Sequence, residues 1–268
     1  MTDSSSPVIF LPGAGGGAPD LDVFREDAED VTRFEVIGYP GWRRLVADRL
    51  SAEVLIADLV AQIVTRVPRG PIRIVGFSIG GHFGYAAALR LQAMGREIAG
   101  FCAIDTFMMV SPELSEGWKS RALAEGLELL RGRRFHEFTR FVRSRLWRGL
   151  FRLAGSRLSS LLQRLSSNRR PSVSASDPIF ERELRVRLLI QAVAPWIASL
   201  DREPVPLRAP AILIRTRMTA SDDAAWRRRC PNIEIFEIPG QHHTVFAAEN
   251  IASLHEAFLT ATRSWRRT

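Results

Sequence analysis

The stretch Ile72 to Arg90, IRIVGFSIGGHFGYAAALR, constrains this chain more than any other part of it: a short apolar β-branched run, a Gly-x-Ser-x-Gly turn, then an Ala-rich helical pattern. That order predicts a nucleophile elbow, in which the strand ends at Phe77 and a helix opens straight after Ser78, leaving the hydroxyl exposed. A side chain at Gly76 or Gly80 would collide across so tight a turn. The backbone N–H of Ile79 falls in the first helical turn, where no intrahelical carbonyl reaches it, and points to where an oxyanion would form. Chance alone places Gly-x-Ser-x-Gly in roughly one chain in ten of this length, the bland alternative being a buried serine in a glycine-rich turn. The flanks therefore carry the weight, and IRIV before and FGYAAALRLQAM after are what the elbow demands.

The rest of the chain alternates in the same manner. PVIFL reads as a buried strand running into the Gly-rich PGAGGGAPD, and RFEVIGYP as a second strand. Ser51 to Val67 has helical apolar spacing, with Ser51 as its N-cap and Pro68 and Gly70 ending it. The elbow helix runs to about Gly95, IAGFCAID follows as a strand, AILIRTR and IEIFEIP are strands near the far end, and Val245 to Ser264 is a closing helix. Strands alternating with helices imply a mostly parallel sheet covered on both faces. Val110 to roughly Val205 interrupts the alternation with a helix-like, Arg-rich insertion.

Composition narrows the class. The 268 residues are 46% hydrophobic and 25% charged, an ordinary globular balance. Cys102 and Cys230 lie far apart with no metal-type spacing, and the polar start MTDSSSPVIF has no secretory pattern, which points to the cytoplasm. No apolar run approaches the ~18 residues of a membrane span. Net charge is +8, yet Glu116 to Arg170 alone holds 14 Lys/Arg against 4 Asp/Glu, so the remainder is slightly acidic. Such asymmetry speaks to partners and not to fold.

A serine needs a base to become nucleophilic, and the base needs an acid to hold its tautomer and stabilise its charge. Asp105 stands at the carboxyl end of FCAID, 27 residues past Ser78, on the edge of a parallel sheet where ligands bind. His242 stands in PGQHHTVF just after the last strand. LPGAGGG after the first strand, GFSIGG, the strand-end Asp105, a helical insertion and IPGQHHTVFAAENI together resemble the thioesterase domains that release products from polyketide and nonribosomal peptide synthases, members of the α/β-hydrolase superfamily. The resemblance covers nearly the whole chain except the insertion. Gln241, His243 and Val245 depart from the acidic, aromatic and Met-like residues that relatives carry around the histidine.

The resemblance implies an α/β-hydrolase core over residues 1–109 and 206–268 with a helical lid inserted at 110–205. It implies Ser78 as nucleophile, His242 as general base and then acid, Asp105 as the orienting carboxylate, and an oxyanion hole made by the N–H groups of Ile79 and Ala14, with Gly13 as the alternative to Ala14. The substrate it implies is an acyl chain, polyketide, peptide or fatty acyl, held as a thioester to the phosphopantetheine of an acyl or peptidyl carrier protein. No cofactor, metal or nucleic acid enters, and the resemblance admits a homodimer. The residues themselves show only acyl transfer, so a small-ester hydrolase without a carrier, or a non-catalytic binder resting on the basic segment, are the competing classes.

Rival assignments remain at several positions. Asp222 or Asp223 is the substitute acid, used by related editing thioesterases, and His243 the substitute base. His82 reads as a polar residue at the pocket floor, and His136 and His255 as helix surface. GAGGGA also fits Gly-x-Gly-x-x-Ala, a dinucleotide fingerprint with Glu35 about twenty residues on, but Pro19 and the charged stretch after it make a poor crossover helix. In the insertion, Phe135, Phe138, Val142, Leu146, Leu150, Leu153, Leu158, Leu161, Leu162 and Leu165 recur at helical spacing, interleaved with Arg140, Arg143, Arg145, Arg148, Arg152, Arg157 and Arg164. That pattern predicts an apolar face turned to the pocket and a basic face that is either solvated or receives an acidic carrier.

Overall fold

The computed structural model describes residues 7–16, 24, 33–47, 51–106, 123, 126, 127, 130–133, 135–154, 178–217 and 223–266. Among the described residues, six strands, β1 (Val8–Leu11), β2 (Phe34–Val36), β3 (Ile72–Phe77), β4 (Ile98–Ile104), β5 (Ala211–Thr216) and β6 (Ile233–Ile238), form one sheet in the order β2-β1-β3-β4-β5-β6. Every neighbouring pair is parallel. Parallel neighbours need long crossovers, and the helices supply them: α1 (Trp42–Ala47), α2 (Ala52–Arg66), α3 (Ile79–Ala93), α4 (Phe135–Ala154), α5 (Pro178–Arg202), α6 (Asp223–Arg229) and α7 (Ala248–Ala261). The near-continuous apolar strands VIFL and IAGFCAI are what a sheet covered on both faces requires.

The chain runs from β1 outward to β2 and then returns to place β3 on the other side of β1. A doubly wound sheet opens a crevice at such a reversal, beyond the carboxyl ends of its strands. The Gly-rich loop leaves β1 and the serine turn leaves β3, so both border it. Register aligns Phe77 of β3 with Ile104 of β4, and Ile104 with Ile214 of β5, bringing the residues that follow these three strands to one edge.

Local chemistry sets the element ends. Ser51 caps α2, its Oγ accepting from the Val54 N–H at 3.3 Å, as its position predicts. The closing segment differs from the single helix read over Val245 to Ser264: a 3-10 turn at His242–Thr244 precedes α7, and a second one follows at Arg263–Arg266. Val245 and Phe246 are drawn into the core, and the Asn250 side chain takes the Thr244 carbonyl at 2.8 Å, so the helix opens only after them. One apolar core joins Phe10, Val75, Ile104 and Ile214 of the sheet to Leu254 and Phe258 of α7.

Two compact units divide the chain: residues 1–39, 51–108 and 195–268, which hold the sheet, and residues 40–50 and 109–194. The boundary falls inside α5 at Pro195, whose missing N–H removes one hydrogen bond from the helix. Within the second unit α4 meets α5 through the rings of Trp147, Phe151 and Phe180, with centroids 4.7 and 5.6 Å apart for the two pairs involving Phe180. Beside them Arg148 Nε reaches Glu183 Oε2 at 2.6 Å and Ser144 Oγ donates to Glu183 Oε1 at 2.7 Å. Burial alone would push the Glu183 carboxyl up, but these hydrogen bonds, with the charges of Arg148 and Arg182, hold it below the usual carboxylate value.

This packing corrects the reading of the insertion. Phe135, Leu146, Leu150 and Leu153 are exposed, Leu153 by 87%, while Phe151, on the opposite side of the helix, is buried. The aromatic side won because Trp147 and Phe151 fill more volume against Phe180 than the leucines would. Arg148, half-exposed, is not merely solvated: it holds the buried Glu183. Leu158, Leu161, Leu162, Leu165, Arg157 and Arg164 lie outside the described residues.

Candidate active site

β3 ends at Phe77, α3 begins at Ile79, and Ser78 between them has φ 55° and ψ −124°. A non-glycine residue in that conformation is strained, and surrounding packing must hold it there. The glycines around it permit the packing: a Cβ on Gly76 would overlap the Gly80 backbone, and a Cβ on Gly80 would overlap the Leu11 carbonyl oxygen at the end of β1. The Ser78 N–H donates to the Ile104 carbonyl at 2.9 Å, continuing the ladder with β4 through the turn.

The Gly-rich loop comes equally close. A Cβ on Gly13 would stand 3.5 Å from the Ser78 Cβ, and Ala14 lies in the turn closed by the Gly16 N–H to the Gly13 carbonyl at 2.9 Å. Tyr39, buried, donates its hydroxyl to the Pro12 carbonyl at 2.7 Å and so fixes the start of this loop. Burial pushes its phenol above the ordinary value, so it remains a donor. The N–H groups of Ala14 and of Ile79, the first residue of α3, thus belong to the two segments that flank Ser78.

Asp105 follows β4, is fully buried and has φ 44°. A buried carboxylate must be paired. Its Oδ1 accepts from the Thr216 N–H at 2.8 Å, and its Oδ2 stands 2.7 Å from His242 Nδ1. A neutral imidazole that donates from Nδ1 carries its basic lone pair on Nε2. The His242 ring stacks on Phe77, centroids 5.1 Å apart and planes 19° from parallel, against the residue preceding Ser78. Its loop is pinned by the Gln241 N–H to Thr244 Oγ1 at 3.0 Å. Carboxylate and imidazole, far apart in sequence, stand together, and the imidazole lies against the residue before Ser78.

The rival residues lie elsewhere. Asp223 opens α6 and pairs with Arg215 at 3.5 Å, Asp222 lies outside the described residues, and His243 is exposed. His82 is buried, 2.9 Å from Arg229 Nη1 and stacked on Trp226. His255 is not bare helix surface, since it stacks on Phe24 and its Nε2 reaches the Phe24 carbonyl at 3.0 Å. His136 is exposed on α4, as read. Both cysteines are buried and free. Burial pushes the Cys102 thiol well above its ordinary value and the Cys230 thiol up to about 12, so neither offers a thiolate near neutral pH. Phe77, Tyr39 and Thr216 escape sequence reasoning, because a ring stack and a backbone donor leave no spacing signature.

Among the described residues no cluster of His, Cys, Asp or Glu is placed to hold a metal, and no helix is long and apolar enough to cross a membrane. A serine held in strain on a strand-to-helix turn at the switch point of a parallel sheet, with a paired carboxylate and histidine following later strands, fits an α/β-hydrolase fold. The family model described as Thioesterase domain matches residues 6–259, and the chain belongs to that family. It is a thioesterase, a hydrolase acting on acyl thioesters.

Among solved structures the chain is similar to the NocB thioesterase domain in covalent complex with a fluorophosphonate nocardicin G analog (TM-score 0.59, 17% identity, 96% of this chain and 95% of that one). It is similar also to the Vlm2 thioesterase domain bound with a dodecadepsipeptide (TM-score 0.56, 18% identity, 95% and 96%). A third is the four-domain nonribosomal peptide synthetase AB3403 (TM-score 0.58, 19% identity, 95% of this chain and 19% of that one). At these identities the likeness is one of fold. The non-reducing polyketide synthase atnG of Arthrinium sp is 34% identical over 105 residues, which are 38% of this chain and 5% of the synthase's length.

Proposed function

We propose that the chain releases an acyl chain, polyketide, peptide or fatty acyl, from the phosphopantetheine thioester of an acyl or peptidyl carrier protein through an acyl-serine at Ser78. The observation that carries this reading is the His242 Nδ1 to Asp105 Oδ2 contact at 2.7 Å, with the imidazole stacked on the residue before Ser78. As Ser78 Oγ attacks the thioester carbonyl, His242 Nε2 takes its proton, and buried Asp105 stabilises the imidazolium. The N–H groups of Ile79 and Ala14 receive the oxyanion. Collapse of the tetrahedral adduct breaks the C–S bond, and His242 returns the proton to the leaving thiol. Water, or a nucleophile within the acyl chain that closes a ring, then attacks the ester with His242 again as base; the acyl–Oγ bond breaks as His242 returns that proton to Ser78. The residues in these roles need no cofactor.

Residues 110–205 act as a lid over the acyl chain, and the exposed arginines of α4, Arg140 and Arg143, receive the acidic surface of the carrier. The relationship to synthase domains supports the carrier as partner. The test compares an acyl-carrier substrate with a short uncharged acyl thioester. On this reading kcat/KM for the carrier substrate falls steeply as salt rises, because exposed charges are screened beyond ~8 Å at physiological strength. The short thioester is turned over at an unchanged rate. Equal salt dependence for both substrates would remove the docking surface and leave the thioesterase chemistry standing.

A further inference from the structure

The residue after the acid is tied to the nucleophile. Thr106 is buried, and its Oγ1 donates to the Ser78 carbonyl at 2.8 Å. That carbonyl also accepts the Gly81 N–H at 3.0 Å, closing the first turn of α3. Gly81 is the one glycine of GFSIGG that the elbow itself does not demand, and the reason for it lies here: a Cβ at that position would overlap Thr106 Oγ1. The sequence therefore leaves space for this hydroxyl to reach the serine's backbone.

Thr106 is held in turn from behind. The buried Trp226 of α6 donates its indole Nε1–H to the Thr106 carbonyl at 2.9 Å. His82 stacks on one part of that indole at 6.0 Å, and the guanidinium of the fully buried Arg229 lies 5.2 Å from its centroid while reaching His82 Nδ1. His82 belongs to α3, one turn beyond Ser78, so α6 grips both the elbow helix and the acid's neighbour. Ser78 and Asp105 both have positive φ, 55° and 44°, and Thr106, the residue after Asp105, ties the first of these turns to the second: its clamped hydroxyl donates to the Ser78 carbonyl at 2.8 Å and lies 3.3 Å from the Ile104 carbonyl.

We infer that Thr106, braced by Trp226, is a positioning residue that holds the strained Ser78 turn in register with Asp105, and hence with His242. The inference rests on Ser78 being the nucleophile and Asp105 the acid. Neither Thr106 nor Trp226 need touch substrate: they act through the backbone that carries the reacting hydroxyl. Small misplacements of such a group cost about ten- to a hundredfold in rate.

The experiment measures the second-order rate at which a fluorophosphonate labels Ser78, together with kcat and KM for a short acyl thioester and the thermal midpoint, in wild type, Thr106→Val, Thr106→Ser and Trp226→Phe. Thr106→Val keeps the shape and loses the donor; its labelling rate and kcat should fall about tenfold or more, with KM changed by less than about twofold. Thr106→Ser restores the hydroxyl and should recover most of both. Trp226→Phe removes the N–H together with the five-membered ring of a fully buried indole; labelling of the folded variant should fall by about threefold or more at a lowered thermal midpoint, with KM changed by less than about twofold. Wild-type rates in Thr106→Val or Trp226→Phe, or failure of Thr106→Ser to recover, overturn the inference. If Thr106→Val does not fold, Trp226→Phe decides alone by the same criterion. Absence of label on wild-type Ser78 is a different result, which removes the nucleophile assignment underneath.

Discussion

The two units of this chain were written under different constraints. Around Ser78 nearly every polar atom is spoken for: Asp105 by Thr216 and His242, the Ser78 carbonyl by Thr106 and Gly81, Pro12 by Tyr39. On α4 a row of leucines is exposed, and the packed side is aromatic. Chemistry that demands fixed geometry leaves few sequences able to meet it, so its residue types and spacings are diagnostic. A helix that needs only one buried side can choose among several, and its pattern is ambiguous.

The widest gap this comparison predicts is at the base. His242→Ala should lower kcat by orders of magnitude, about as much as loss of Ser78, because such groups act as a unit, whereas the exposed His243→Ala should stay near wild type. Steady-state turnover of one acyl thioester compares them. Asp105→Asn should follow closely, since an amide cannot stabilise the imidazolium; the same change in serine proteases costs about 10⁴ in kcat. Asp223→Asn, which loosens only a partly exposed pair with Arg215, should be mild. The reverse pattern would move the acid to the strand after β4.

Smaller effects sharpen the other half. Phe151→Ala should lower unfolding free energy by about 3–5 kcal/mol, while Leu153→Gln should stay within about 0.5 kcal/mol, measured by urea denaturation. Equal losses at the two sites would return the leucines to the packed side. The pair at Glu183 carries a pH signature. Its carboxyl is held below the ordinary value in the folded protein, so the stability it contributes is present above the unfolded-state pKa and is lost as pH falls through the folded one. Arg148→Gln should therefore be less stable than wild type near neutrality, by about 1–2 kcal/mol given the half-exposed arginine, and the difference should shrink in acid. Thermal melts at pH 7 and at low pH check the sign.

Much of the first unit was legible in the sequence for physical reasons. Apolar runs of four to seven residues separated by helical periods specify a parallel sheet, and Gly76, Ser78 and Gly80 between strand and helix leave one turn geometry open. Asp105 and His242 were found because strand ends place side chains at the ligand edge, and their 2.7 Å contact brings them together as expected. What escaped notice was held by atoms without a pattern. The Thr216 N–H is backbone, Thr106 looks like any threonine after a strand, and Trp226 joins the site from 120 positions further along the chain. In the insertion, spacing revealed that α4 is a helix but put its packed side on Leu146, Leu150 and Leu153, whereas the Trp147, Phe151 side is the one that packs. Only the position of Phe180 and Glu183 on α5 decides it.

The central claim is that a serine held in a strained turn becomes an acyl carrier in its own right. Intact-mass spectrometry of the protein quenched in acid seconds after mixing with a panel of acyl thioesters tests it most directly, with peptide mapping to locate the adduct. The predicted result is a mass increase equal to the acyl group less one proton, located on Ser78 and absent from Ser78→Ala. An adduct that persists in Ser78→Ala, or turnover of the thioester by that variant at the wild-type rate, would contradict it.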